Sequence, residues 1–158
     1  MFQPDEDGIY AQLEASPARR IFAYGVQFGL GGIIVYVTLV QPPSLPWMIF
    51  MLAFGVTMLW QAERLRRSTT ITIELTATEL RDSAGTVLAR VDEVRSVERG
   101  TFAFKPSNGF TLVLNTKKPR AWLPGLWWRF GRRVGVGGVT NAGQAKFMAE
   151  RINMMLKD

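Results

Sequence analysis

The chain has 158 residues, 47% of them apolar, with 19 Lys plus Arg against 13 Asp plus Glu and neither Cys nor His. Without Cys there are no disulfides, thiolate metal sites or Cys nucleophiles, and without His there is no Ser–His–Asp triad and no H-E-x-x-H zinc site. Catalysis by Asp, Glu, Lys or Tyr stays open, and the net charge of +6 points to an anionic partner, either nucleic acid or a lipid surface.

The first segment, residues 1–20, carries the acids Asp5, Glu6, Asp7 and Glu14 against Arg19 and Arg20. It reads as a cytoplasmic N-terminal tail that either folds onto a basic domain or contacts another subunit. Its acidic start does not suit the basic n-region of a signal peptide. Ile21–Val40 follows, a run of 20 residues without a charge. At a rise of about 1.5 Å per residue it covers about 30 Å, one hydrocarbon core. A second uncharged run begins at Pro46 and reaches Trp60, with Gln61 and Ala62 extending it. The pattern predicts a transmembrane hairpin over residues 21–62, with spans at about 21–40 and 46–62. The alternative is a pair of core helices in a soluble protein.

The connector Gln41–Leu45 is short and uncharged, with Ser44 placed to cap the second helix and Pro46 tolerated in its first turn. Trp47 and Trp60 stand at opposite ends of the second run as interface anchors, and Arg64, Arg66 and Arg67 follow. Arg19 and Arg20 flank the first span, while the connector has no Lys or Arg. The positive-inside rule then places both termini in the cytoplasm of a bacterial inner-membrane, multi-pass protein. Gly25, Gly29 and Gly32, with Gln27 between them, mark the helix-packing face. Gly25-x-x-x-Gly29 permits close approach of another helix, and a polar side chain such as Gln27 prefers protein to lipid.

From Thr69 the period changes to two. Ile71, Ile73 and Leu75 alternate with polar residues, Leu80 continues the pattern, and Asp82–Gly85 is a turn before Thr86–Val91. Further strands are predicted near Arg95–Phe104, over Phe110–Thr116 after the turn Pro106–Gly109, and near Arg132–Gly138. Asn141 with Gln144 three residues on forms a capping-box-like helix start. Ala145, Met148, Ala149, Ile152, Met155 and Leu156 then give one apolar stripe at helical spacing. Residues 69–158 thus make one cytoplasmic domain of ordinary size.

The order of these elements resembles bacterial PH-like (pleckstrin-homology-like) domains attached to membrane hairpins. The likeness rests on the hairpin Ile71–Val91, the Val91-x-x-Val94-x-x-Val97 segment, the strand Phe110–Thr116 and the closing helix. It implies an α+β membrane protein: a two-helix transmembrane hairpin followed by a small antiparallel β barrel or sheet capped by the C-terminal helix. It implies no phosphoinositide binding and assigns no binding residues.

The strongest local feature is an acid-free stretch from Arg99 to Ala149. Its centre, Lys117–Arg133, sets Trp122, Leu123, Leu126, Trp127, Trp128 and Phe130 among Lys117, Lys118, Arg120, Arg129, Arg132 and Arg133. Pro119, Pro124 and Gly125 predict a loop there. Its aromatic side chains have several destinations: anionic headgroups of the cytoplasmic leaflet, an integral membrane protein partner, nucleic acid as the last choice, or the domain's own core. Gly135–Gly138 lacks the Lys-Ser/Thr of a P-loop, and the acids at Asp92-Glu93 have no apolar surroundings to perturb them. The sequence therefore predicts no catalytic residues, no metal and no cofactor. It predicts a non-enzymatic accessory, assembly or scaffolding subunit of a membrane complex, or alternatively a stand-alone anionic-lipid-binding module.

Overall fold

A computed structural model describes residues 3–99 and 106–157. Its elements are β1 (Ile9–Leu13), α1 (Pro17–Val40), α2 (Leu45–Ser68), β2 (Ile73–Thr76), β3 (Glu79–Asp82), β4 (Val87–Arg90), a 3-10 turn (Val91–Glu93), β5 (Val94–Glu98), β6 (Phe110–Leu123), β7 (Trp127–Val136) and α3 (Ala142–Met155). The protein is α+β, with two long apolar helices, antiparallel sheets and a C-terminal helix. It divides into a helical unit, Pro17–Arg67, and a sheet unit built from the segment ending at Ser16 and the segment starting at Ser68.

In the helical unit α1 opens on Pro17, whose fixed φ suits a first turn. It ends before the Pro42-Pro43 pair, which cannot continue it. Ser44 accepts the first bond of α2 from the Met48 amide (3.0 Å), which places it at the N-cap. Both helices are long and apolar enough to cross a membrane, and only 11% of each apolar window is buried. A core helix of a soluble protein would be mostly covered. Polar groups within the helices are satisfied locally: Thr38 and Thr57 donate back to the carbonyls of Ile34 (2.6 Å) and Ala53 (2.7 Å). The helices meet at Gly31 and Gly55. A Cβ on Gly55 would lie 2.8 Å from Val35 Cγ2, and one on Gly31 would lie 3.1 Å from the Gly55 carbonyl oxygen.

The sheet unit contains a four-stranded sheet, β1-β2-β3-β4, and a three-stranded sheet, β5-β6-β7. β1 comes from the segment expected as a tail. Ile9, Ala11, Leu13 and Ala15 alternate with polar or half-buried residues, and all four are buried. Antiparallel pairing sets Ala11 opposite Leu75 and Leu13 opposite Ile73. The helical hairpin is therefore inserted between two adjacent strands of one sheet and does not precede the domain. The acids at Asp5–Asp7 masked this strand in the sequence. In the structure Asp5 turns the chain into it by accepting the Ile9 amide (2.9 Å).

Leu13, Ile73, Leu75, Leu80 and Leu88 of the first sheet share one core with Phe110, Leu112, Leu114, Val134 and Val136 of the second. Helix α3 lays the expected stripe, Ala145, Met148, Ala149 and Ile152, onto that core. Its N-cap is Asn141, whose Oδ1 accepts the amides of Gly143 (2.9 Å) and Gln144 (3.3 Å). Gln144 does not complete a capping box. Its Oε1 accepts the Glu14 amide (3.0 Å), so this side chain ties α3 to the end of β1. The expected strand near Arg95–Phe104 is described as Val94–Glu98, and residues 100–105, including Lys105, lie outside the described residues.

Candidate interaction surface

The basic aromatic stretch is a strand hairpin. β6 continues through Pro119 to Leu123, and β7 returns from Trp127. The prolines that predicted a loop fall where a strand tolerates them. Pro119 is exposed between the Lys118–Gly131 and Ala121–Arg129 pairs, where the register shifts, so no ladder amide is needed there. Pro124 and Gly125 form the tip, closed by the Leu126 amide donating to the Leu123 carbonyl (3.2 Å).

This hairpin folds back on its own base. Trp128 and Gly135 would lie about 23 Å apart on a straight strand. Instead the indole packs where a side chain of Gly135 would stand, since a Cβ there would fall 2.2 Å from Trp128 Cε2. Gly131, at φ +59°, gives the bend a conformation that residues with a Cβ rarely adopt. Tip and base are then joined by Gly137 N–H donating to Leu126 O (2.7 Å) and Val139 N–H donating to Gly125 O (3.0 Å). The tip also meets the point where the chain enters this unit: Ser68 Oγ donates to Pro124 O (2.6 Å), and both residues are buried.

Folding back separates the residues that the sequence grouped together. Trp127 is 4% exposed and belongs to the core with Leu126. It is not a surface contact, because it lies on the hairpin face that turns inward. Arg129 lies on that inner side as well. It donates to the carbonyls of Pro119 (2.8 Å), Val87 (2.9 Å) and Leu88 (3.2 Å), and so covers carbonyls on the free side of β4. Lys118 pairs with Glu93 (2.8 Å) and Arg133 with Glu98 (3.2 Å). Trp128 is half-buried against Gly135.

The remaining predicted contacts stay outside. Trp122 is 58% exposed, opposite Trp128 in the ladder, and Phe130 is 65% exposed. The Arg120 guanidinium stands 5.8 Å from the Phe130 ring centre. Arg120, Trp122, Trp128 and Phe130 line a shallow surface depression of about 400 Å³. Lys117, Arg120 and Arg132 are exposed and have no ion pair among the described residues. Phe130 was visible in the sequence as one more aromatic, but only the strand alternation places it beside Arg120 and Trp122.

In the helical unit the contact between α1 and α2 uses glycines other than those expected to meet partner helices. A Cβ on Gly25, Gly29 or Gly32 would meet nothing within 4 Å, so these residues do not join α1 to α2. Gly31 and Gly55 do, and the sequence did carry a signal for them. They lie twelve residues either side of Pro43, and an antiparallel hairpin brings such positions face to face. Gln27 keeps a buried Oε1 with no hydrogen-bond partner among the described residues. Trp47 (63% exposed) packs edge-on against Phe50, while Trp60 (60% exposed) carries the Arg64 guanidinium at 5.6 Å. Arg66 and Arg67 both pair with Glu63, at 2.7 and 2.6 Å. Trp60, Arg64, Arg66 and Arg67 therefore gather around Glu63 along the last turns of α2, while Trp47 stands at its first turn.

Comparison with protein-family models, curated proteins and solved structures found no match to this chain.

Proposed function

We propose that this protein is a non-enzymatic accessory or scaffolding subunit of a membrane complex. In this reading α1 and α2 cross the bacterial inner membrane, and the sheet unit is a PH-like module held at its cytoplasmic face. The observation that carries it is the insertion of an uncovered helical hairpin between paired strands. Only 11% of each apolar window is buried, and chain ends fixed by the Leu13–Ile73 pair feed both helices. Residues 14–16 and 69–72 are the short segments that join the helices to β1 and β2. The grouping of four and three strands with a closing helix supports the PH-like assignment.

The partner in this reading is an integral membrane protein. Gly25, Gly29 and Gly32 present a face on α1 that the hairpin itself leaves open. Gln27 lies about 200° around α1 from Gly25 and Gly29, on the side of Gly31, and its Oε1 is buried without a partner among the described residues.

Two measurements test the proposal. The chain has no Cys, so single cysteines at Ser44 and Ala84 report topology without background. Ser44→Cys should react only with reagent outside the cell, and Ala84→Cys only after permeabilisation. Purification of the full chain in mild detergent should bring down a stoichiometric membrane protein. Migration at monomer mass with nothing bound would sink the subunit reading and leave the stand-alone lipid module in its place.

A further inference from the structure

We infer that the outer face of the folded-back β6–β7 hairpin docks on an anionic bilayer, with Trp122 and Phe130 entering the headgroup layer and Lys117, Arg120 and Arg132 meeting lipid phosphates. This rests on the proposal that α1 and α2 cross the membrane, and it adds the identity of the surface that the module grips.

Residue-by-residue sorting of the cations is the first support. Of the six between Lys117 and Arg133, Lys118, Arg129 and Arg133 are committed inside the unit, to Glu93, to backbone carbonyls and to Glu98. Lys117, Arg120 and Arg132 have no ion pair among the described residues, and no Asp or Glu lies between Arg99 and Ala149 to offer one locally. Their charge is left for an external anion.

The second support is the company these cations keep. Trp122 and Phe130 are more than half exposed beside Arg120. Apolar rings interleaved with cations match a lipid headgroup layer, in which rings sit at the polar–apolar boundary and cations reach phosphates. Lys117 in this group distinguishes the two surfaces, because protein interfaces are enriched in Arg and aromatic rings but depleted of Lys.

Position along the chain is the third. The tip of this hairpin is bonded through Pro124 O to Ser68, the last residue of α2. Ser68 follows Trp60, the interfacial ring of α2, by eight residues. Those residues rise about 12 Å along the helix. The hairpin tip is thus bonded to the residue at which α2 ends.

The test uses the full chain in vesicles of phosphatidylcholine alone or with phosphatidylglycerol. Phe130→Cys carries an environment-sensitive fluorophore, and Ala84→Cys in the β3–β4 turn is the control. In anionic vesicles the label at position 130 should shift to the blue and be quenched by nitroxide-bearing lipid, and 0.5 M salt should reverse both effects. The label at position 84 should not respond. Neutralising Lys117, Arg120 and Arg132 together should weaken docking by about 100-fold, at about fivefold per cation. Arg133→Gln should change it less than about twofold, because that cation is already paired.

Equal exposure of the position-130 label to aqueous iodide in both vesicle types would overturn the inference. So would protection that ignores lipid charge, or protection that appears only when a partner protein is added. A carbonate wash separates the layers of the claim. Protein that stays in washed vesicles with an unresponsive label refutes the docking alone, whereas protein lost in the wash refutes the membrane-spanning reading.

Discussion

Removal of β1 should unfold a domain that looks complete without it. Residues 69–158 contain six of the seven strands and α3, and the sequence offers them as an independent unit. In the structure, however, Leu13 is fully buried and Ile9, Ala11 and Ala15 are at most 8% exposed. Truncating a buried Leu such as Leu13 to Ala costs about 2–5 kcal/mol. Losing the whole strand exposes the other three side chains as well and strips the ladder from β2, for a total of about 5–8 kcal/mol on the transfer scale. That is comparable to the whole stability of a typical domain, about 5–15 kcal/mol. The assay compares two soluble chains by circular dichroism and urea unfolding. One is 69–158 alone; the other joins residues 3–16 to 68–157 through a short Gly-Ser linker in place of the helical hairpin. The second chain should unfold cooperatively, and the first should show no native baseline. A cooperative transition of 69–158 at the same urea midpoint would refute the assignment of β1 to the core.

The close approach of α1 and α2 gives a second expectation. Gly55→Val should cost about 1–3 kcal/mol through overpacking against Val35, seen as a lower melting temperature in detergent, whereas Gly25→Ala and Gly29→Ala should leave the isolated chain unchanged. Arg129→Ala should destabilise the sheet unit by about 1–2 kcal/mol by uncovering the carbonyls of Val87 and Leu88, while Arg132→Ala should not alter the urea midpoint. Gly135→Ala should force the Trp128 indole out of its place, with a red-shifted tryptophan emission and a loss of about 1–3 kcal/mol. Trp128→Ala in the same chain should recover part of that loss. Asn141→Ala should cost about 1 kcal/mol by removing the cap of α3, read from the same unfolding curves.

Much of this architecture is written in local patterns. Uncharged runs of one membrane thickness mark both long helices. The change to alternation after Thr69 marks the strands, and the stripe from Ala145 to Ile152 marks the helix that closes the core. The acid-free stretch after Glu98 also localises the positive charge without any coordinates. Each of these signals depends only on neighbours within a few turns or strand steps.

What needed the tertiary structure was membership and orientation. β1 is five residues long and sits beside an acidic turn, and nothing within it tells that Leu13 pairs with Ile73 across the whole helical insertion. Pro119 suggested a loop because a sequence does not show that it falls at a register shift, where a missing amide costs nothing. The glycines of α1 looked equivalent, yet only Gly31 meets a facing backbone, because contact depends on helix rotation as well as spacing. The six cations from Lys117 to Arg133 likewise looked alike. Glu93, Glu98 and the carbonyls of β4 are distant in sequence, and only the tertiary structure pairs Lys118, Arg129 and Arg133 with them and leaves Lys117, Arg120 and Arg132 without an ion pair among the described residues.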